Sequence, residues 1–325
     1  MSLGDKLMKK VAILTSGGDA PGMNACLRAA VRAALNNDIE PYVVYDGYKG
    51  LVEGKILEVH RRFVSEILNR GGTIIGTARL DEFKELNVKE KAISNLHNLG
   101  INDVIVIGGD GSFRGASELG DMGLNCVGVC ATIDNDINAP GYTIGFDTAL
   151  NTIVNCIDRI RDTSSSHTRC SIVEVMGRHC GDLALYSSIA CGADILIDPV
   201  NGYDVDKIIE YVKRMKHEGR KHVIIVASEN ILNVKELAKK IEEATGFETR
   251  ATVLGYLQRG GTPSAMDRVT ASILGYSAID MLIKKEYGKM VYFVNNHVES
   301  KELSEVVKPK NIDYTELYKV NEVIG

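Results

Sequence analysis

Short apolar runs alternate with amphipathic stretches along nearly all of this 325-residue chain. The runs Val11–Leu14, Tyr42–Tyr45, Val104–Ile107, Cys126–Ala131, Ser171–Val175, His222–Ala227 and Met290–Val294 read as buried strands. Between them the apolar spacing becomes helical. From about Met23 to Leu35, the residues Met23, Leu27, Val31 and Leu35 recur every four positions. In Phe146–Arg161 one stripe collects Phe146, Ala149, Leu150, Ile153, Val154, Ile157 and Ile160. This alternation predicts an α/β fold of parallel sheets covered by helices. The charged segments Leu80–Lys91 and Asn233–Glu243 read as exposed helices or loops. A lobe boundary near Gly145, and a return crossing near Tyr256–Gly261, divide the chain in two.

Two polar segments interrupt this pattern directly after apolar runs. Gly108-Gly109-Asp110-Gly111-Ser112 follows the first run, and Thr132-Ile133-Asp134-Asn135-Asp136 follows the second. The first offers backbone amides, a carboxylate and a hydroxyl, which suit phosphate and Mg²⁺. The second offers carboxylates at i and i+2, which share one face of an extended stretch. One could take a proton while the other steers a metal or a water. Singly, each segment also fits an ordinary turn. Together, at successive strand ends, they stand where open α/β sheets bind ligands, and they supply the parts of a phosphoryl-transfer site.

Composition narrows the picture. The chain is 45% apolar and 25% charged, which is ordinary for a globular protein long enough for two cores. The formal net charge of −5 argues against nonspecific nucleic-acid binding. No apolar run approaches a membrane span and no secretory leader is visible, so a cytoplasmic location with no membrane partner is expected. The lead Met1–Leu7 reads as dispensable. Seven scattered cysteines suit a reduced compartment, and Cys126 with Cys130 lacks a second pair for zinc. Arginines recur beside glycines and carboxylates, at Arg79, Arg161, Arg169, Arg178, Arg250, Arg259 and Arg268. Their planar forks match phosphate.

Eight segments carry a family resemblance. They are Leu14–Asn24, Asn69–Thr73, Gly108–Ser112, Thr132–Ile137, Asp162–His167, Val173–Arg178, Glu248–Gly255 and Gln258–Gly261. In this order and over nearly its whole length, the chain resembles the bacterial ATP-dependent 6-phosphofructokinases. The resemblance implies a two-lobed α/β fold with the active site in the cleft. Residues 8–145 with about 258–308 would form a larger nucleotide-binding lobe. Residues 146–257 with about 309–325 would form a smaller sugar-phosphate lobe. It further implies a glycolytic enzyme that uses MgATP and fructose 6-phosphate, assembled as a homotetramer with sites shared between subunits.

The resemblance also implies roles. Gly18, Gly109, Gly111 and Ser112 match the triphosphate cradle, with Tyr48, Arg79 and Leu80 beside the nucleotide, and Asp110 matches the Mg²⁺ carboxylate. Asp134 matches the general base for the sugar 1-hydroxyl, with Thr132, Ile133 and Asp136 as companions. Arg79 and Arg178 match the arginines that flank the transferred phosphoryl group. Arg169, Met176, Gly177, Glu229, Arg250, Tyr256, Leu257, Gln258 and Arg259 match the sugar-phosphate site, with Arg169 and Arg250 supplied by a neighbouring subunit. Simpler readings stand beside several of these. Asp136 also fits a turn carboxylate, Glu229 a helix N-terminal acid, Met176 core filler and Tyr48 a surface turn aromatic.

Three departures from the family pattern matter. Ala131 stands where ATP users carry Gly and pyrophosphate users carry Lys, while Gly111 follows the ATP pattern in place of Asp. A pyrophosphate-dependent enzyme and a degenerate regulatory subunit are therefore the alternatives. Tyr256 replaces a His, so it can donate a hydrogen bond but carries no cationic form. Arg28, Arg32, Arg61, Arg161, Gly192, Asp194, Arg220, Lys221 and His222 match a site for an anionic effector, ADP or phosphoenolpyruvate. There Glu218 replaces a common Lys, and Asp194 replaces a Glu. Arg28 and Arg32 also fit a pair of solvated surface charges.

Overall fold

A computed structural model describes residues 8–324, so the lead Met1–Leu7 lies outside the described residues. The elements begin β1 (Lys9–Thr15), α1 (Met23–Asn36), β2 (Ile39–Val44), α2 (Gly47–Glu53), β3 (Ile56–Glu58), α3 (Leu86–His97), β4 (Asp103–Gly108), α4 (Asp110–Asp121), β5 (Asn125–Cys130) and α5 (Phe146–His167). They continue β6 (Arg169–Val175), α6 (Asp182–Cys191), β7 (Ile195–Ile197), α7 (Val205–His217), β8 (His222–Ser228), α8 (Val234–Thr245) and β9 (Thr249–Val253). The last are α9 (Ala265–Lys284), β10 (Lys289–Val294), β11 (His297–Glu302), α10 (Leu303–Val306) and α11 (Thr315–Ile324).

Every predicted strand run lies in or at the end of a strand, and both predicted helices form. β2 stops at Val44 because the chain turns left-handed at Asp46, φ +55°, to enter α2. β5 stops at Cys130, and Ala131 continues only as an isolated bridge to Ile144. The charged segments are less exposed than expected. In α8, Val234, Leu237, Ala238 and Ile241 are buried, at helical spacing. Phe83 is likewise buried in a short 3₁₀ turn, Asp81–Lys84.

The chain divides into two compact units. The first comprises the chain up to Ile133, Ile137–Asp147 and Arg259–Asn311. The second comprises Asp134–Asp136, Thr148–Gln258 and the chain from Ile312 onward. Among the described residues, the first unit has a seven-stranded sheet in the order β11-β10-β5-β4-β1-β2-β3. Its two edge pairs are antiparallel and the other pairs parallel. Strands buried on both faces read as continuous apolar runs, which is why Val104–Ile107 showed no alternation. The core of this unit gathers Leu14, Val44, Leu51, Leu96, Val106, Phe113 and Met290.

Among the described residues, the second unit has a four-stranded parallel sheet in the order β7-β8-β6-β9. Its core gathers Ile172, Ile197, Val212, Ile225, Leu237, Ile241 and Phe247. The register sets Arg169 beside His222, and Ser171 beside Arg250. Residues far apart in sequence thus meet on neighbouring strands.

Candidate active site

In the first unit β1 and β4 are adjacent and parallel, so the turns that follow them leave the same end of the sheet. The Ser16 amide donates to the Ile107 carbonyl at 3.0 Å and ties these turns together. A Cβ added at Gly108 would lie 2.5 Å from Ser112 Oγ and 2.6 Å from the Ser16 carbonyl oxygen, so the turn closes only on glycine. Gly109 caps α4 in an extended conformation, and Asp110 stands in the helix's first turn, where the dipole favours a carboxylate. A Cβ at Gly111 would meet nothing within 4 Å. Ser112 Oγ is buried and has no hydrogen-bond partner.

Asp110 is engaged by Arg114 one helical turn on, through bonds of 3.2 and 3.3 Å. Arg114 is itself anchored on the Val307 carbonyl at 3.2 Å. The donor set here is one carboxylate with one orphaned hydroxyl. That fits a hard dication which draws its remaining ligands from phosphate oxygens and water. Gly18 lies against Arg259, whose guanidinium would be 2.8 Å from an added Cβ and which pairs with Asp19 at 2.6 Å. Arg79 is exposed, and Leu80 is half-buried against the core.

Tyr48 is not a surface turn aromatic. Its ring is buried, stacked on Phe83 at a centroid distance of 4.3 Å. Its hydroxyl donates to the Ser112 carbonyl at 2.6 Å. The side chain therefore props the first turn of α4 from within the core. A buried phenol needs an acceptor, and the helix end supplies one.

The Thr132–Asp136 segment also departs from expectation. It is not an extended stretch. Asn135 adopts a left-handed conformation, φ +53°, which breaks the alternation that would set Asp134 and Asp136 on one face. Asp134 and Asn135 are buried, and Asp136 is half-buried. Thr132 is half-buried, with its carbonyl accepting from the Thr143 hydroxyl, and Ile133 is buried. Asp136 pairs with the exposed Arg178 at 3.3 Å. That pairing gives Asp136 a partner beyond a plain turn carboxylate.

Arg178 is itself in a left-handed conformation, φ +53°, after Gly177 at φ +139°. Such a turn persists only when its surroundings hold it. Glu229 does so: one carboxylate oxygen accepts from the Gly177 amide at 3.2 Å and the Arg178 amide at 2.8 Å. Glu229 precedes α8, whose cap is Asn233, so the helix-terminal reading is corrected. Gln258, fully buried, accepts from the Met176 amide at 3.0 Å and donates to the Gly255 carbonyl at 3.0 Å. Glu229 and Gln258 thus shape the Met176–Arg178 turn from opposite ends. Tyr256 and Leu257 are strongly exposed, at 79% and 63%.

Arg169 and Arg250 converge on one acid. Arg169 pairs with Glu248 at 2.8 Å, and Arg250 pairs with Glu248 at 2.7 Å and Glu242 at 3.5 Å. Arg259 belongs to the other unit, on Asp19. The residues matched to an effector form two groups. Arg28 and Arg61 together lower the pKa of Arg32, after the larger effect of desolvation. In the second unit Arg161 donates to the Cys191 carbonyl beside Gly192, and His222 accepts from or donates to Ser165 at 2.9 Å. Burial depresses the His222 pKa, reinforced by Arg161 and Arg220. Lys221 is exposed. The Asp194 side chain is 2% exposed and bonds Arg220 at 2.6 Å, the Ile224 amide at 2.8 Å and Tyr211 at 3.2 Å. It anchors Arg220 and ties to β8 at the Ile224 amide.

Sequence reasoning gave no role to Asp19, Asn135, Asp182 or Arg114. Each acts through a partner that only the fold supplies, and a polar residue in a loop carries no signal of its own.

The parallel sheets, the glycine-built helix N-terminus with its carboxylate, and the arginine-rich turns define an α/β phosphotransferase. The chain belongs to the phosphofructokinase family, whose profile matches residues 10–282. It is 51% identical over 317 residues to the ATP-dependent 6-phosphofructokinase of Vibrio campbellii, covering 97% of this chain and 99% of that one. It is 48% identical over 318 residues to the enzyme of the same name from Bacillus cytotoxicus, covering 98% and 100%. Among solved structures, the phosphofructokinase of Saccharomyces cerevisiae matches with a TM-score of 0.85 at 36% identity. That match covers 92% of this chain and 45% of the yeast chain. A pyrophosphate-dependent phosphofructokinase from Nitrosospira multiformis shares the fold, with a TM-score of 0.86 at 19% identity.

Proposed function

We propose that the chain transfers the γ-phosphoryl group of MgATP to the 1-hydroxyl of fructose 6-phosphate, yielding fructose 1,6-bisphosphate and ADP in glycolysis. Gly18, Gly109, Gly111 and Ser112 approach the triphosphate through their backbone, and Asp110 with the Ser112 hydroxyl holds the cation side. Neutralisation of charge on the terminal phosphates is what Mg²⁺ supplies when bound. Asp134 accepts the proton of the 1-hydroxyl as its oxygen attacks. Arg79 and Arg178 stabilise the charge that spreads over the transferred group. Asp136 orients Arg178 through their ion pair. Arg169, Arg250 and Arg259 hold the sugar phosphate, with the Met176–Arg178 turn and Tyr256–Leu257 against the sugar.

The reading includes a homotetramer in a cytoplasmic setting, where Arg169 and Arg250 serve a neighbour's site. It includes ADP or phosphoenolpyruvate as an effector held by Arg28, Arg32, Arg61, Arg161, Arg220, Lys221 and His222. Among the described residues no helix is long and apolar enough to cross a membrane.

The observation that carries the donor assignment is the open space at Gly111, where an added Cβ meets nothing within 4 Å. No carboxylate stands there against the nucleotide's phosphates. A coupled assay of fructose bisphosphate formation tests the whole reading. Turnover with MgATP and little with pyrophosphate is expected. Equal rates with both donors would replace it with the pyrophosphate-dependent alternative, and no turnover with either would leave a regulatory subunit.

A further inference from the structure

The left-handed Asn135 sits between the two carboxylates of its loop, and what holds it comes from the far end of the chain. Asn135 Nδ2 donates to Asp182 Oδ2 at 2.7 Å. The same oxygen accepts from the Tyr314 hydroxyl at 2.7 Å. The other Asp182 oxygen accepts from the Cys180 thiol at 3.0 Å. Asp182 is 2% exposed and opens α6, where the helix dipole favours its charge. Tyr314 stands immediately before α11, its ring edge-on to Tyr186 at 6.4 Å. Burial, then the neighbouring Asp182 charge, pushes the Tyr314 phenol far above its ordinary pKa, so it stays a donor at any physiological pH.

One helical turn on, a second tyrosine repeats the arrangement. The Tyr318 hydroxyl donates to Asp198 at 2.6 Å, and Asp198 is fully buried, with its other oxygen on the Val200 and Asn201 amides. Two tyrosine–aspartate bonds therefore fasten α11 to its unit. The first of them continues to the Asp134–Asp136 loop.

We propose that the C-terminal segment is a positioning element for the proton-accepting loop, acting through Tyr314, Asp182 and Asn135. The proposal rests on the reading of Asp134 as the general base. The physical argument is that a positive φ, which asparagine tolerates better than other side chains, is still a minor well, so a fixed left-handed residue draws on an external restraint. A buried carboxylate shared by three donors is such a restraint, since each bond fixes the direction of the others. Loss of the Tyr314 hydroxyl leaves Asp182 free to reorient toward its remaining donors, and Asn135 moves with it. Asp134, the adjacent residue, then drifts from the position at which it takes the hydroxyl proton.

The test compares two conservative variants of the full-length enzyme with MgATP and fructose 6-phosphate. Tyr314→Phe is expected to lower kcat about tenfold, since small misplacements of a reacting group cost one to two orders of magnitude. Its KM for MgATP is expected to stay near the wild-type value, because the nucleotide residues belong to the other unit. Tyr318→Phe removes the second fastening and is expected to lower the thermal midpoint while leaving kcat unchanged. Equal kcat losses in the two variants, or none in Tyr314→Phe, would overturn the proposal. If Tyr314→Phe does not fold, Asn135→Gly decides, since glycine keeps the positive φ and removes the amide link to Asp182. It is expected to lose kcat to the same extent, and wild-type kcat would sink the idea. Where both variants fold, combining them is expected to add nothing further. Wild-type turnover and Asp134→Asn are measured alongside. Failure of those two controls refutes the general-base reading, whereas normal controls with an active Tyr314→Phe refute only the positioning role.

Discussion

The turn at Gly108–Ser112 takes its shape from missing side chains, whereas the loops at Asp134–Asp136 and Met176–Arg178 take theirs from side chains elsewhere. At Gly108 a single methyl group would strike Ser112 and the Ser16 backbone, so the turn is defined by residues within it and by the adjacent strand. At Asn135 and Arg178 the backbone is left-handed with a full side chain in place. There the conformation is held by Asp182, Glu229 and Gln258, which lie 47, 51 and 82 residues away from the groups they bond. A backbone-built turn binds through amides and fails by steric collision. A side-chain-held loop fails gradually, as its restraints are removed. The two should therefore respond differently to substitution.

The largest effect is expected from the chemistry of the held loop itself. Asp134→Asn should leave sugar binding largely intact and depress kcat by at least ~10²-fold, the usual scale for loss of a general base. Steady-state kinetics of the purified variant check this, and near-normal turnover would remove Asp134 from its role.

The glycine turn should discriminate sharply by size and charge. Gly111→Ala should be tolerated, because its Cβ meets open space. Gly111→Asp should raise the KM for MgATP about 10- to 100-fold, since like charges roughly 5 Å apart near a surface repel by a few kcal/mol. Gly108→Ala should destabilise the fold by about 1–3 kcal/mol, the cost of overpacking. Equal behaviour of the two Gly111 variants would show that charge is not what the turn excludes.

Graded behaviour is expected at the restraints. Glu229→Ala should lower kcat/KM about tenfold by freeing the Gly177 and Arg178 amides, while Glu229→Gln, which keeps an acceptor oxygen, should lose less. Identical losses would mean that the carboxylate's charge, and not its hydrogen bonds, matters there.

The smallest effect is expected away from both loops. Glu218, exposed at the end of α7, carries a negative charge two and four residues before Arg220 and His222 in the chain. Glu218→Lys should strengthen effector action on fructose 6-phosphate affinity by ~1 kcal/mol, the low end of coupling energies. The half-saturating sugar concentration with and without ADP or phosphoenolpyruvate measures it. An unchanged shift would mean that the position is electrostatically silent.

Much of the fold was legible because its signals are local. Strands buried on both faces appear as short apolar runs, and α1 and α5 show their stripes directly. Gly108 was legible for the same reason, since a turn that admits no Cβ must be spelled with glycine. The burial of Tyr48 was not legible because an aromatic in Asp46-Gly47-Tyr48 looks like turn decoration until α3's neighbour Phe83 and the Ser112 carbonyl enclose it. The bonds of Asp194 to Arg220, Tyr211 and Ile224 were not legible, because a matched position says nothing about which way a carboxylate faces. The amphipathic face of α8 was present in the sequence but hidden by the density of charge around it.

The sequence by itself determined the α/β alternation, the glycine turn and the family, because each is carried by residues adjacent in the chain or by their period. Only the tertiary structure decided that Asn135 is left-handed, that Glu229 and Gln258 shape a distant turn, and that Tyr314 reaches the loop through Asp182. Those are hydrogen bonds across long separations, and a polar side chain does not state in sequence which partner burial will bring to it.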